Sequence, residues 1–153
     1  MKVKAGSDFD ALMAEKVMRW IRTPRDYRRR GWVRESDWHY KTGAIRQTYA
    51  YCAPSSWSPS TNISDVWQVV ERMEEIAAED FENATTEHRI NVIFPLTLVD
   101  GGDRWGASFD GDVPRQESWW DEADELPRSA MAETAPLAIC LAALKTIGVK
   151  IEV

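Results

Sequence analysis

The run from Thr134 to Gly148 constrains this chain more than any other, because no residue between Ala135 and Leu144 is polar. Thr134 suits an N-cap, where its hydroxyl accepts from a first-turn N–H. Pro136 falls within the turn that needs no N–H of its own. Lys145 stands in the last turn, and Gly148 provides a left-handed stop. Leu137, Cys140, Leu141 and Leu144 share one face, while Ile139, Ala142 and Ala143 occupy the others. A helix apolar on all sides must be buried. At about ten residues it is too short for a bilayer, which needs ~20. The spacing therefore predicts the central helix of a soluble core.

The chain has 153 residues, which favours a single domain over 1–153 with room for a core. Its 44% hydrophobic and 29% charged content excludes a disordered chain. The opening residues lack an apolar h-region, so a cytoplasmic location is expected, with no membrane partner. Cys52 and Cys140 are the only cysteines and read as two free thiols rather than a disulfide. The net charge of −6 is unevenly spread. Residues 1–60 carry twelve Lys/Arg against six Asp/Glu, a net +6, whereas 61–153 carry seven against nineteen, a net −12. Such asymmetry marks either an anion-binding surface or mutual neutralisation within the fold or an oligomer.

Phe9, Leu12, Met13, Val17, Trp20 and Ile21 recur at helical spacing, predicting a first helix capped by Ser7 or Asp8 and running to about Ile21. Arg25 to Arg34 follows, with arginines interleaved with Tyr27 and Trp32. It reads as a basic connecting loop, or as forked donors beside a stacking face for a phosphorylated ligand. Trp38 to Tyr51 predicts a β-hairpin turning at Gly43.

A second helix is expected from about Ile63 to Asp80, capped by Asn62 with Asp65 three residues on. Its inward stripe would be Ile63, Val66, Trp67, Val70, Met73 and Ala77. Ser60 and Thr61 precede it, either as an anion seat at the positive end of the dipole or simply as caps. Arg89 to Val99 alternates as a strand, with Pro95 implying a bulge or an edge. Asp100-Gly101-Gly102-Asp103 turns it back through Arg104 to Phe109. Asp110 to Arg128 reads as an acidic loop bearing Trp119-Trp120, and Val149, Ile151 and Val153 as a short terminal strand.

Catalytic signatures are missing. His39 and His88 are isolated from the cysteines, Gly101-Gly102 is no dinucleotide fingerprint, and Gly106 to Asp110 lacks the second glycine of a nucleophile elbow. Asp100, Asp103, Asp110 and Asp112 would hold a divalent cation if their turns converged, though turns are where aspartates ordinarily sit. No catalytic residue and no cofactor is expected.

Three blocks carry a family resemblance: Ala14 to Met18 with Trp20, Trp57-Ser58-Pro59-Ser60-Thr61-Asn62 through Glu71, and Thr134 to Leu144. With the strands between them, residues 8–148 resemble the phage ABA sandwich domain family. The resemblance implies a three-layer α/β/α sandwich and a phage or prophage origin, with no activity or catalytic residues to transfer. The periodicities independently give an α+β class with a mainly antiparallel sheet and three main helices. The function expected is an accessory protein that binds a host factor or a small anionic, nucleotide-like ligand, even sequestering a host defence signal, with homo-oligomer formation open. A metal-dependent enzyme acting on nucleotides or nucleic acid, and a structural virion component, are the alternatives. Expected ligand contacts are Arg28, Arg29, Arg30, Trp32, Trp57, Ser60 and Thr61. Extended nucleic acid is disfavoured, because the −12 half would repel a long polyanion.

Overall fold

The computed structural model describes residues 4–23, 31–34, 38–39, 44–45, 52–83, 96–109 and 128–150. Helix α1 spans Ser7–Lys16, with Asp8 and Asp10 in its first turn and Lys16 in its last, all three favourable to the dipole. Its N-cap is Gly6, which has no side chain to contribute, instead of Ser7 or Asp8. The helix also ends five residues before the expected Ile21. The N–H groups of Val17 and Met18 both donate to Met13 O, at 3.0 and 3.2 Å, so the ladder stalls. Arg19 then takes φ 57, and the chain enters β1 (Trp20–Arg22). Trp20 keeps its place in the core, but from a strand.

The supposed connecting loop is partly strand as well. β2 (Gly31–Arg34) pairs antiparallel with β1, setting Trp20 opposite Arg34 and Arg22 opposite Trp32. On its other side β2 pairs with β5 (Cys52–Pro54), with Gly31 opposite Pro54. Pro54 is tolerated because β5 is the edge of this sheet among the described strands. The expected hairpin is present as β3 (Trp38–His39) and β4 (Ala44–Ile45), paired antiparallel.

Helix α2 spans Ile63–Asn83. Asn62 caps it: Oδ1 accepts from Ser64 N at 2.9 Å and Asp65 N at 3.2 Å. Asp65 does not close a reciprocal box, because its Oδ2 accepts from Ser58 N instead, at 2.9 Å. The buried face is Val66, Val69 and Met73. Ile63 and Trp67, expected inward, are 46% and 47% exposed. Of the expected stripe, Val66 and Met73 are buried and Val70 and Ala77 pack against the core, whereas Trp67, about 100° around the helix from Val66, turns outward and Val69 takes its place.

β6 (Thr97–Asp100) and β7 (Trp105–Ser108) form the expected hairpin, with Gly101 N on Arg104 O at 2.8 Å and Gly102 N on Asp100 Oδ1 at 2.9 Å. An unexpected strand, β8 (Ser129–Ala132), completes this sheet on β7. Between them Ser129 Oγ donates to Ser108 Oγ at 2.8 Å, which pairs two buried hydroxyls.

Helix α3 (Ala135–Thr146) follows the sequence closely. Thr134 Oγ1 accepts from Leu137 N at 3.4 Å. At the other end Gly148 has φ 87, Gly148 N donates to Lys145 O at 3.1 Å, and Val149 N to Leu144 O at 3.0 Å. Those two bonds form a Schellman stop, and Val149 continues from it outside any described strand. Lys145 Nζ donates to Ser129 O at 2.6 Å, tying α3 to β8. Every residue from Ala138 to Leu144 is buried.

The class is α+β, with three helices and antiparallel sheets among the described residues. The apolarity of α3 has the expected cause, burial at the centre of the core. The helix is enclosed on several sides, packing on β7 and β8, on α2 and on α1. The described strands form three separate antiparallel sheets, so they do not themselves trace a continuous middle layer.

Cys140 is a free thiol at the centre of this packing. Burial, and secondarily the Asp10 carboxylate, push it well above the usual thiol range. Native protein should therefore resist maleimide labelling at Cys140, with reaction appearing only on unfolding; fast native labelling would place that helix face at the surface. The linkage has a sign. The raised folded-state value leaves stability unaffected at low and neutral pH, and stability falls once pH is high enough to ionise the thiol of the unfolded chain.

Candidate functional site

The anion seat suggested by Ser60 and Thr61 already holds an anion of the chain's own. Ser60 is fully buried, and its N–H donates to Asp10 Oδ1 at 2.9 Å. Its hydroxyl accepts from Gly6 N at 3.2 Å. Asp10 is itself buried, so the start of α1 is clamped onto the loop that leads into α2. Thr61 is exposed, and its N–H is spent on Ser58 O at 3.2 Å.

The two tryptophans of the expected site are core residues. Trp57 packs on Trp20 with ring centroids 4.7 Å apart and planes tilted by 58°, and its Nε1 donates to Gln68 Oε1 at 2.9 Å. Trp32 carries the Arg22 guanidinium 4.7 Å above its ring, a cation–π contact between cross-strand neighbours. Each ring is about 3% exposed, which leaves no open face for a base. Arg28, Arg29 and Arg30 lie outside the described residues, as do Trp119, Trp120, Asp110 and Asp112. Among the described residues no three His, Cys, Asp or Glu side chains gather as a metal site would require. No helix there is long and apolar enough to cross a membrane.

A different site emerges at the other end of α1. A cleft of about 570 Å³ opens where the C-terminal ends of α1 and α3 meet the middle of α2. Val17, Ile76, Ile147 and Val149 supply apolar walls, and Lys16, Arg19, Arg72 and Glu79 the charges. The cleft exists because α1 stops early. Were α1 to continue to Ile21, residues 17–19 would add another turn instead of turning back at Arg19.

The three cations are not equivalent. Arg72 is structural: its Nε donates to Val17 O at 3.2 Å, capping the end of α1, and its Nη1 lies 3.1 Å from Glu75 and 3.9 Å from Glu79. Lys16 and Arg19 are exposed and have no ion-pair partner among the described residues. The end of α3 adds few bare carbonyls to oppose them, because Ala143, Leu144 and Lys145 O accept from Ile147, Val149 and Gly148 N. A largely polar cleft with partly apolar walls, and with two cations at its rim that have no ion-pair partner among the described residues, suits a small anion.

Comparison with known proteins places this architecture in a family. A family model described as the phage ABA sandwich domain matches residues 11–97, more than half of the chain. The chain belongs to the phage ABA sandwich domain family. The match contains the first two blocks of the resemblance and ends before the third, Thr134 to Leu144. Within this ABA sandwich member, α1's end and α2's middle fall inside the matched span, whereas the α3 side of the cleft falls outside it. No curated protein and no solved structure matches the chain.

Sequence reasoning missed the cleft for a specific reason. Lys16 and Arg19 look like ordinary residues of a solvated helix face, and nothing in the sequence marks Arg19 as left-handed. Trp20-Ile21, rich in β propensity, is the one available hint that the helix ends before them.

Proposed function

We propose that this phage-family protein is a non-catalytic accessory protein that binds a small anionic, nucleotide-like ligand, and that it acts by sequestering a host signal of that class. The observation that carries the reading is the cleft, where Lys16 and Arg19, without ion-pair partners among the described residues, stand beside partly apolar walls. A volume of about 570 Å³ lies within the usual range of small-molecule sites, roughly 300–1,000 Å³. The absence of catalytic signatures in the sequence makes binding the simpler role, and the basic first sixty residues favour an anion.

Titration calorimetry with linear and cyclic nucleotides, at low and moderate salt, tests it. The parent should bind at least one of them, more weakly as salt rises. Lys16→Ala/Arg19→Ala should lose about tenfold or more in affinity, the loss of one good charged contact. Arg28→Ala/Arg30→Ala examines the arginine segment as an alternative seat and should bind like the parent. Loss confined to this second variant would move the site to the arginines. No binding of any nucleotide by the parent would remove the reading.

A further inference from the structure

Arg19 combines three properties that rarely coincide. It lines the cleft, it has no ion-pair partner among the described residues, and it sits at φ 57, the only non-glycine residue there with positive φ. L-residues other than glycine, asparagine and aspartate are disfavoured in that region, because Cβ crowds the following carbonyl. Glycine would make the same turn from α1 into β1 without that cost. An arginine held there contributes nothing visible to packing, since its side chain is exposed. Strained backbone of this kind concentrates at ligand sites, where the side chain's direction matters more than the local cost.

We infer that Arg19 is the residue that reads the charged head of the ligand, and that the ligand is a phosphomonoester of a small organic body. The inference rests on the binding reading above and assigns its chemistry. Arg72 is excluded as the reader because Val17 O and two carboxylates hold its guanidinium. That leaves Arg19 and Lys16. Two cations without ion-pair partners among the described residues match a dianionic phosphate better than a monoanionic carboxylate, and the arginine fork adds paired donors to its oxygens. The phosphate occupies little of the volume. Ile76, Ile147 and Val149, each partly exposed, line part of the remainder, so a bare phosphate ion would forgo that contact.

The test pairs binding with stability. Adenosine monophosphate, adenosine and inorganic phosphate are titrated into the parent and into Arg19→Gly, Arg19→Ala and Arg19→Lys, and each free protein is melted. The parent should bind the monophosphate at least about tenfold more tightly than either fragment. Arg19→Gly and Arg19→Ala should both lose about tenfold or more, with Arg19→Lys between them and the parent. In the free proteins Arg19→Gly should melt about 2–4 °C above Arg19→Ala, because both lack the guanidinium and only glycine relaxes the turn.

Each contrary result has its own meaning. Unchanged monophosphate binding by Arg19→Gly would overturn the role of Arg19 while leaving the cleft as a binding site. Adenosine binding as tightly as the monophosphate would overturn the phosphate assignment. A parent that binds nucleotides, but not monophosphates, would do the same. A Gly variant melting below the Ala variant would overturn the argument from strain.

Discussion

Leu141→Asp is expected to abolish the cooperative thermal melt of this protein, or to lower it by well over 10 °C. Leu141 lies in the middle of α3, a helix enclosed by β7 and β8 and by α1 and α2, and every neighbour from Ala138 to Leu144 is buried. Removing a buried leucine alone costs about 2–5 kcal/mol, because the surroundings only partly collapse into the space. The carboxylate adds a further penalty of several kcal/mol, since it would enter a stretch in which every residue from Ala138 to Leu144 is apolar and buried. The sum is comparable with the whole stability of a domain this size, about 5–15 kcal/mol. Leu141→Met keeps the volume and should cost less than about 1.5 kcal/mol. Circular dichroism melts of both variants decide the matter. An Asp variant melting within a few degrees of the parent would show that α3 is not the centre of the core.

The second large effect belongs to Gly31. Its φ of 147 is a conformation nearly closed to residues with a side chain. The space is closed as well: a Cβ at this position would stand 2.0 Å from Ala53 O, a backbone atom that cannot move aside without breaking the β2–β5 pairing. The same residue holds the β1 side together, because Thr23 N donates to Gly31 O at 3.0 Å and Gly31 N to Thr23 Oγ1 at 3.0 Å. Gly31→Val should therefore cost about 3–5 kcal/mol, combining backbone strain with overpacking. It should also release Trp32 and Trp57 from their buried contacts. Urea unfolding followed by tryptophan fluorescence reads both effects. A midpoint unchanged by Gly31→Val would mean that β2 and β5 do not pair in this register.

The two predictions differ in how far the sequence foretells them. Leu141 is legible at once, because ten consecutive apolar residues leave a helix no solvent side. Gly31 is not. Its glycine follows a cluster of arginines and looks like one more loop residue until Ala53, twenty-two positions on, is brought against it. The same contrast runs through the strands. The β6–β7 hairpin is legible because alternation and a Gly-Gly turn lie within one short stretch. β1, β2, β5 and β8 are three or four residues each, and such segments carry too few side chains to show a period. Their partners, not their own propensities, make them strands.

The candidate site follows the same logic. Ser60 and Thr61 stand where an anion would be welcome, and an anion is indeed present, but it is Asp10, fifty residues earlier in the chain. The cleft collects Lys16 and Arg19 from one helix end, Arg72 and Ile76 from the middle of another, and Ile147 and Val149 from a third. No sequence spacing links residues so far apart.

The sequence by itself determined the α+β class, the limits of α3 and its caps, the Asn62 start of α2, and the family. Each depends on interactions within a turn or two of chain: a hydroxyl to the next N–H, a left-handed glycine, an apolar period. Only the tertiary structure decided where α1 ends, that Val69 and not Trp67 faces inward on α2, and that Ser60 serves the fold while Lys16 and Arg19 face an open cleft. Those outcomes depend on long-range packing. Two nearly equivalent helical faces compete for one core, and a helix terminates where a distant strand offers its last residues better hydrogen bonds than another turn would.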